Sequence, residues 1–173
     1  MSDIRRIIIT GLFTALAIIL HLVENIIPMS ALVPGAKIGL ANIANLLGLV
    51  LFGFVSGLEI LLLRVLMVAL LAGSFLSINF YLSLSGGLLA YLIMSFLYYY
   101  GKDRFSLLGI SVAGAFFHNL AQLIIAYFII KNTGIFYYLP YLMLLSVPSG
   151  ISIGLVSYFA LNYLPQGGDI YAS

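Results

Sequence analysis

The sequence predicts an all-α integral membrane protein: one membrane domain, residues 1–173, folded as a bundle of six transmembrane helices. Three observations predict it. Of the 173 residues 64% are hydrophobic and 7% charged, with a mean hydropathy of +1.22, whereas a soluble domain carries about 25% charged residues. The apolar runs match spans of ~20 residues separated by short connections, which gives about six crossings and leaves no stretch for an aqueous domain. Six spans with the N-terminus inside place Arg5, Arg6, Lys102 and Arg104 on the cytoplasmic side and only Lys37 and Lys131 outside, as the positive-inside rule prefers.

The first span covers about 4–27, between Asp3, Arg5 and Arg6 at its start and Pro28 at its end. Gly11 and Ala15 form a small-xxx-small pair flanked by Thr10 and Thr14, a contact surface where another helix can approach closely. His21, Glu24 and Asn25, at three- and four-residue spacing, share a face near its outer end. An ionisable residue inside a span is costly and therefore a functional candidate.

Residues 28–35 form a stiff loop with two prolines. The second span, 37–54, opens with the stretch PGAKIGLANIAN from Pro34 to Asn45. Pro34 and Gly35 break the preceding structure, so Lys37 is expected in the first turn of a new helix that carries Asn42 and Asn45 three positions apart. A lysine at a helix start opposes the macrodipole, and two positive contributions aimed at one point suit an anion. The competing reading has Lys37 reaching the headgroups while the two asparagines cross-link helices.

Gly53 and Gly57 mark a tight cytoplasmic turn. The third span, 56–71, holds Glu59 and Arg64. On a helix these lie roughly 140° apart, so Arg64, about a dozen ångströms above the inner end, needs a partner from another helix or a ligand. After a small-residue turn at 72–78, the fourth span covers 79–100. Asn79 stands at its outer end, Ser83, Ser85, Gly86 and Gly87 allow close packing further in, and Tyr98 to Tyr100 form an aromatic belt. The fifth span, 105–130, carries His118, Asn119 and Gln122; the sixth, 137–164, begins with Tyr137 and Tyr138 and contains a small stripe of Ser146, Gly150 and Gly154.

Composition also excludes functions. Seven Lys and Arg against five Asp and Glu are too sparse for nucleic-acid binding. With no cysteine there is no disulfide framework, thiolate metal site or thiol nucleophile, and no metal or cofactor is expected. A removable signal peptide is not expected either, because the first apolar run is too long and another follows at once.

Sorted by depth, His21, Glu24, Asn25, Lys37, Asn42, Asn45, Asn79, His118, Asn119, Gln122 and Tyr138 all fall in the outer half. One cavity open to the outside accounts for this better than scattered helix-helix bonds, which have no reason to choose one leaflet. No proton relay crosses the inner half and no nucleotide motif is present. Such a protein captures a molecule without a means of driving it across, so energy would come from partner subunits through the Gly11/Ala15 face.

The blocks HLVEN from His21 to Asn25, PGAKIGLANIANL from Pro34 to Leu46, Arg64, SLSGG from Ser83 to Gly87, HNLAQL from His118 to Leu123 and YLP from Tyr138 to Pro140 resemble the Gx transporter family. That family is also labelled heptaprenyl diphosphate synthase component I and is similar to the substrate-binding S components of energy-coupling factor (ECF) transporters. The resemblance implies a six-helix bundle that binds a small molecule from outside and joins a transmembrane coupling subunit and two ATPases. With the cations and topology read above, the molecule is expected to be anionic and the chain a multi-pass cell-membrane protein with both termini cytoplasmic. On that reading Lys37, Arg64 and His118 contact the ligand as cations or donors. Asn42, Asn45, Asn79, Asn119, Gln122 and Tyr138 complete the site, and Glu24 braces Lys37 or meets a cationic part of the ligand. S components dock through an Ala-xxx-Ala motif, for which Gly11 and Ala15 stand here. The synthase label leaves a noncatalytic subunit of a polyprenyl diphosphate synthase as an alternative, beside a stand-alone secondary transporter. Catalysis by this chain is not expected: prenyl transfer needs clustered aspartates for Mg²⁺, and Asp3, Asp103 and Asp169 lie far apart outside the spans.

Overall fold

In the computed structural model, described for residues 3–26, 39–101 and 104–163, five helices follow one another: α1 (Asp3–Ile26), α2 (Ala41–Leu71), α3 (Ile78–Tyr100), α4 (Leu107–Ile130) and α5 (Leu139–Tyr163). A six-residue 3₁₀ turn, Thr133–Tyr138, leads into α5. All five are long and apolar enough to cross a membrane, and no strand occurs among the described residues. Each helix is apolar almost all round, as expected where lipid rather than water surrounds the bundle.

The ends are set by local chemistry. Ser77 caps α3 by accepting a hydrogen bond from the Phe80 N–H at 3.4 Å, and Ser106 caps α4 by accepting from the Gly109 N–H at 3.2 Å. Lys131, in the left-handed region at φ 53°, stops α4, and Asn132 then accepts from the Gly134 N–H to start the 3₁₀ turn. α5 continues through Pro148, which stands on its exposed face, and the Ser152 hydroxyl donates to the Pro148 carbonyl at 2.8 Å.

The second and third sequence spans form the single element α2, interrupted at Gly53 by a non-helical backbone of φ 84°, ψ −178°. A positive φ of this kind is open to glycine at little cost. The two arms, 41–52 and 54–71, lie back to back: a Cβ added at Gly48 would sit 3.2 Å from the Gly57 Cα, although nine residues of straight helix would separate them by about 13 Å. The chain therefore reverses at Gly53, while Gly57, read as part of the turn, is helical and lets the arms touch. Both backbone groups of Phe54, just past the break, are met from α3: its carbonyl accepts from the Tyr91 hydroxyl at 2.6 Å and its N–H donates to the Tyr99 hydroxyl at 3.1 Å. Part of the expected aromatic belt thus pins the reversal.

The helix also begins later than the sequence suggested. Gly39, at φ 79°, is not helical and α2 starts at Ala41, so the helix does not extend back to Lys37, which lies outside the described residues together with residues 27–38.

Around this hairpin α1 packs on α2, α2 on α3 and α5, α3 on α4, and α4 on α5. The core gathers Leu46, Leu49, Leu61, Tyr91, Met94, Ile110 and Ile153. The α4–α5 crossing is close: a Cβ at Gly150 would lie 2.8 Å from the Val112 N, and one at Gly154 2.9 Å from the Leu108 Cα. There the Ser111 hydroxyl bonds the Gly150 carbonyl at 2.6 Å, a small-residue contact of the kind membrane helices use.

Candidate binding site

A group of polar side chains from four helices comes together toward the bundle end that carries the Asn132 turn. α1 turns Thr10, Thr14, Ala17, His21 and Glu24 inward, and all five are buried; the spacing of three and four residues that predicted a shared face produces it. Opposite them the first arm of α2 presents Asn42 and the second arm Arg64. Ser83 comes from α3, and His118 and Gln122 from α4. His21, Glu24, Gly39, Asn42, Arg64, Ser83, His118 and Gln122 line a hollow of about 20 Å³. A smaller one of about 10 Å³ continues it past Asn42 and His118 to Asn119 and Ser149.

The glycines of SLSGG allow this approach. A Cβ at Gly86 would lie 2.9 Å from His118 Nε2 and 2.9 Å from Gln122 Cγ, and one at Gly87 3.4 Å from Arg64 Nη2. Without side chains there, α4 and the Arg64 guanidinium close onto α3.

Charge and hydrogen bonding are uneven within the hollow. Glu24, 6% exposed, accepts a hydrogen bond from the Gly39 N–H and so ties α1 to the entrance of α2. Arg64 is 3% exposed, and its Nε and Nη2 donors have no hydrogen-bond partner among the described residues. Glu24 lies near enough for Arg64 to feel its charge, but the two make no ion pair. Nor does Glu59 serve Arg64: it pairs with Arg6 of α1 at 2.6 Å, toward the other end of the bundle. An unmet neutral donor inside a protein costs ~1–3 kcal/mol and a charged one more, so the fold carries Arg64 at a cost.

Other sequence-selected residues stand elsewhere. Asn45, fully buried, donates to Asn42 Oδ1 at 3.2 Å and so holds Asn42 rather than facing the hollow. Asn119 donates to the Leu142 carbonyl at 3.1 Å, bracing α4 against α5. Asn79 and Tyr138 are both exposed and line a second, larger cavity of about 470 Å³ between α3, α4, the 3₁₀ turn and the start of α5. Lys37 and the Asn25 side chain lie outside the described residues. Gly11 and Ala15 face outward, with no atom within 4 Å of where a Gly11 Cβ would be. Beside Gly11 a groove of about 560 Å³ runs between α1 and the second arm of α2, past Ile7, Leu62 and Leu63.

The sequence pointed to one cavity, and the division into two was not anticipated. Ser83 and Gln122 line both this cavity and the Arg64 hollow, and Asn132, Leu123 and Leu142 complete much of its wall. Asn79, Gln122 and Tyr138 in its lining were selected from the sequence, whereas Asn132 was not. Among the described residues no three of His, Asp and Glu gather into a group that could hold a metal ion.

Five membrane-length apolar helices with their polar groups turned inward define a multi-pass helical membrane protein. The chain belongs to the heptaprenyl diphosphate synthase component I family, whose sequence profile matches residues 13–160. That region contains every residue of both polar hollows and of the larger cavity. No curated protein and no solved structure matches the chain.

Proposed function

We propose that the chain is a substrate-binding membrane subunit, an S component of an ECF-type ATP-driven uptake transporter, which captures a small anionic molecule from the extracellular side of the cell membrane. The observation that carries this reading is Arg64: a buried guanidinium with two unanswered donors in a hollow built from α1, both arms of α2, α3 and α4. A buried charge kept only for stability would have a partner. Its natural complement is a ligand, with Glu24, Asn42, His118 and Gln122 around it, Asn45 and Asn119 in support, and Asn79 and Tyr138 at the larger cavity; Lys37, outside the described residues, is counted as a further cation of the proposed site.

The same reading counts the two arms of α2 as separate crossings. Six spans then put both termini in the cytoplasm, with the Asn132 end outside. No part of the chain acts as a catalyst on this reading; energy comes from a coupling subunit and ATPases docked on the uncovered Gly11/Ala15 face. The family description supports a second reading, a noncatalytic membrane subunit of a polyprenyl diphosphate synthase.

Two measurements separate these. Mass spectrometry of small molecules carried by the purified wild-type protein, but not by Arg64→Met, is expected to reveal a bound anion; equal loading of both proteins would sink the site. Affinity purification from the native membrane is expected to recover an ATPase-bearing complex that Gly11→Leu disrupts. Recovery of an aspartate-rich soluble synthase instead would establish the second reading.

A further inference from the structure

The hollow and the large cavity together describe a ligand. Resting on the capture reading above, we propose that the substrate is an amphipathic monocarboxylate, its carboxylate on Arg64 and its apolar body in the 470 Å³ cavity.

The donors identify the head. Of the guanidinium's nitrogens, Nε and Nη2 are the two that are buried and unpartnered, and their N–H bonds point the same way along one edge. That edge is a fork matched to two oxygens on one carbon, and a planar carboxylate fills it with two parallel hydrogen bonds. Gly87 keeps the Nη2 side clear, since even a Cβ there would come within 3.4 Å. Size agrees: a hollow of about 20 Å³ accommodates a probe volume of one or two waters, each needing ~10–15 Å³. That admits the two oxygens of a carboxylate, and the planar two-donor edge suits them better than the branched tetrahedron of a phosphate. Glu24 carries the same charge as such a head, but the Gly39 N–H holds its carboxylate, and His21, His118, Asn42 and Gln122 line the remaining wall.

The body follows from adjacency. Ser83 and Gln122 border both spaces, so a ligand anchored at Arg64 needs only these two side chains to turn aside to reach the cavity, whose walls include Leu82, Leu123, Ala126, Ile130 and Leu142. At about 470 Å³ it falls within the ~300–1,000 Å³ range of small-molecule sites. Asn79, Asn132 and Tyr138 at the far side offer hydrogen bonds to a polar substituent.

The test uses the whole chain in lipid nanodiscs, with empty discs subtracted, titrated calorimetrically with octanoate, octanamide, octyl phosphate and acetate. Octanoate is expected to bind at least ~10-fold more tightly than each of the others, and Arg64→Lys, which replaces a fork by a point charge, to weaken it ~10-fold. Circular dichroism and a monodisperse elution profile check that the variant is folded. Octanamide or octyl phosphate matching octanoate, or unchanged octanoate affinity in Arg64→Lys, overturns the assignment. The molecules that copurify with wild-type protein keep the two readings apart. A bound compound without a carboxylate that Arg64→Met loses overturns the carboxylate class and leaves capture standing. No Arg64-dependent compound, together with no octanoate binding, overturns both.

Discussion

The α4–α5 crossing and the Arg64 hollow handle burial in opposite ways. At the crossing the polar groups are small and answered close by: Ser111 bonds the Gly150 carbonyl, and Ser146 bonds the Met143 carbonyl at 2.6 Å. In the hollow Arg64 is 3% exposed, with its buried Nε and Nη2 left unmet among the described residues. The first arrangement stabilises the bundle. The second lowers stability, and a fold retains such a group where a ligand completes it.

That contrast can be broken most forcefully at the crossing. Gly150→Leu must push α4 off α5, because even its Cβ would lie 2.8 Å from the Val112 N. We expect a loss of more than ~3 kcal/mol or no folded protein, read by thermal or denaturant unfolding in detergent. A stability near wild type would mean the helices do not cross there.

The hollow should respond with the opposite sign. Replacing both charges, Arg64→Met with Glu24→Gln, is expected to raise stability by ~1–3 kcal/mol while abolishing ligand retention. A drop in stability would assign Arg64 to the scaffold. Between the extremes, Asn119→Ala removes one interhelical bond, to the Leu142 carbonyl, and should lower stability by ~1 kcal/mol with little change in ligand retention. A strong loss of retention without destabilisation would move Asn119 into the site. At the lipid-facing surface Gly11→Leu should shift stability by less than ~0.5 kcal/mol, because nothing lies within 4 Å of the added Cβ; the same variant should lose its partner complex in a pull-down.

Much of the site was readable from spacing. His21 and Glu24 share the inner face of α1 as their separation requires, and Arg64 proved to have no partner in Glu59 five positions earlier. The glycines of SLSGG were read as close-packing positions, and they face His118, Gln122 and Arg64. Asn45, Asn119, Asn79 and Tyr138 were grouped with these by depth alone. Depth follows from counting residues along a helix, but the direction of a side chain depends on how that helix is rotated against its neighbours. Asn45 braces Asn42, Asn119 bonds the Leu142 carbonyl at the edge of the smaller hollow, and Asn79 and Tyr138 open onto a different cavity.

By itself the sequence determined that the chain consists of apolar helices long enough to span a bilayer, and that its polar residues gather toward one end, because hydropathy and rise per residue are properties of each segment alone. Tertiary structure decided where the chain reverses, choosing Gly53 and pinning it with Tyr91 and Tyr99. It also decided which polar side chains share a hollow and that Ser83 and Gln122 stand between this hollow and an apolar cavity. Those outcomes depend on the rotation and approach of neighbouring helices, which periodicity within one helix does not encode.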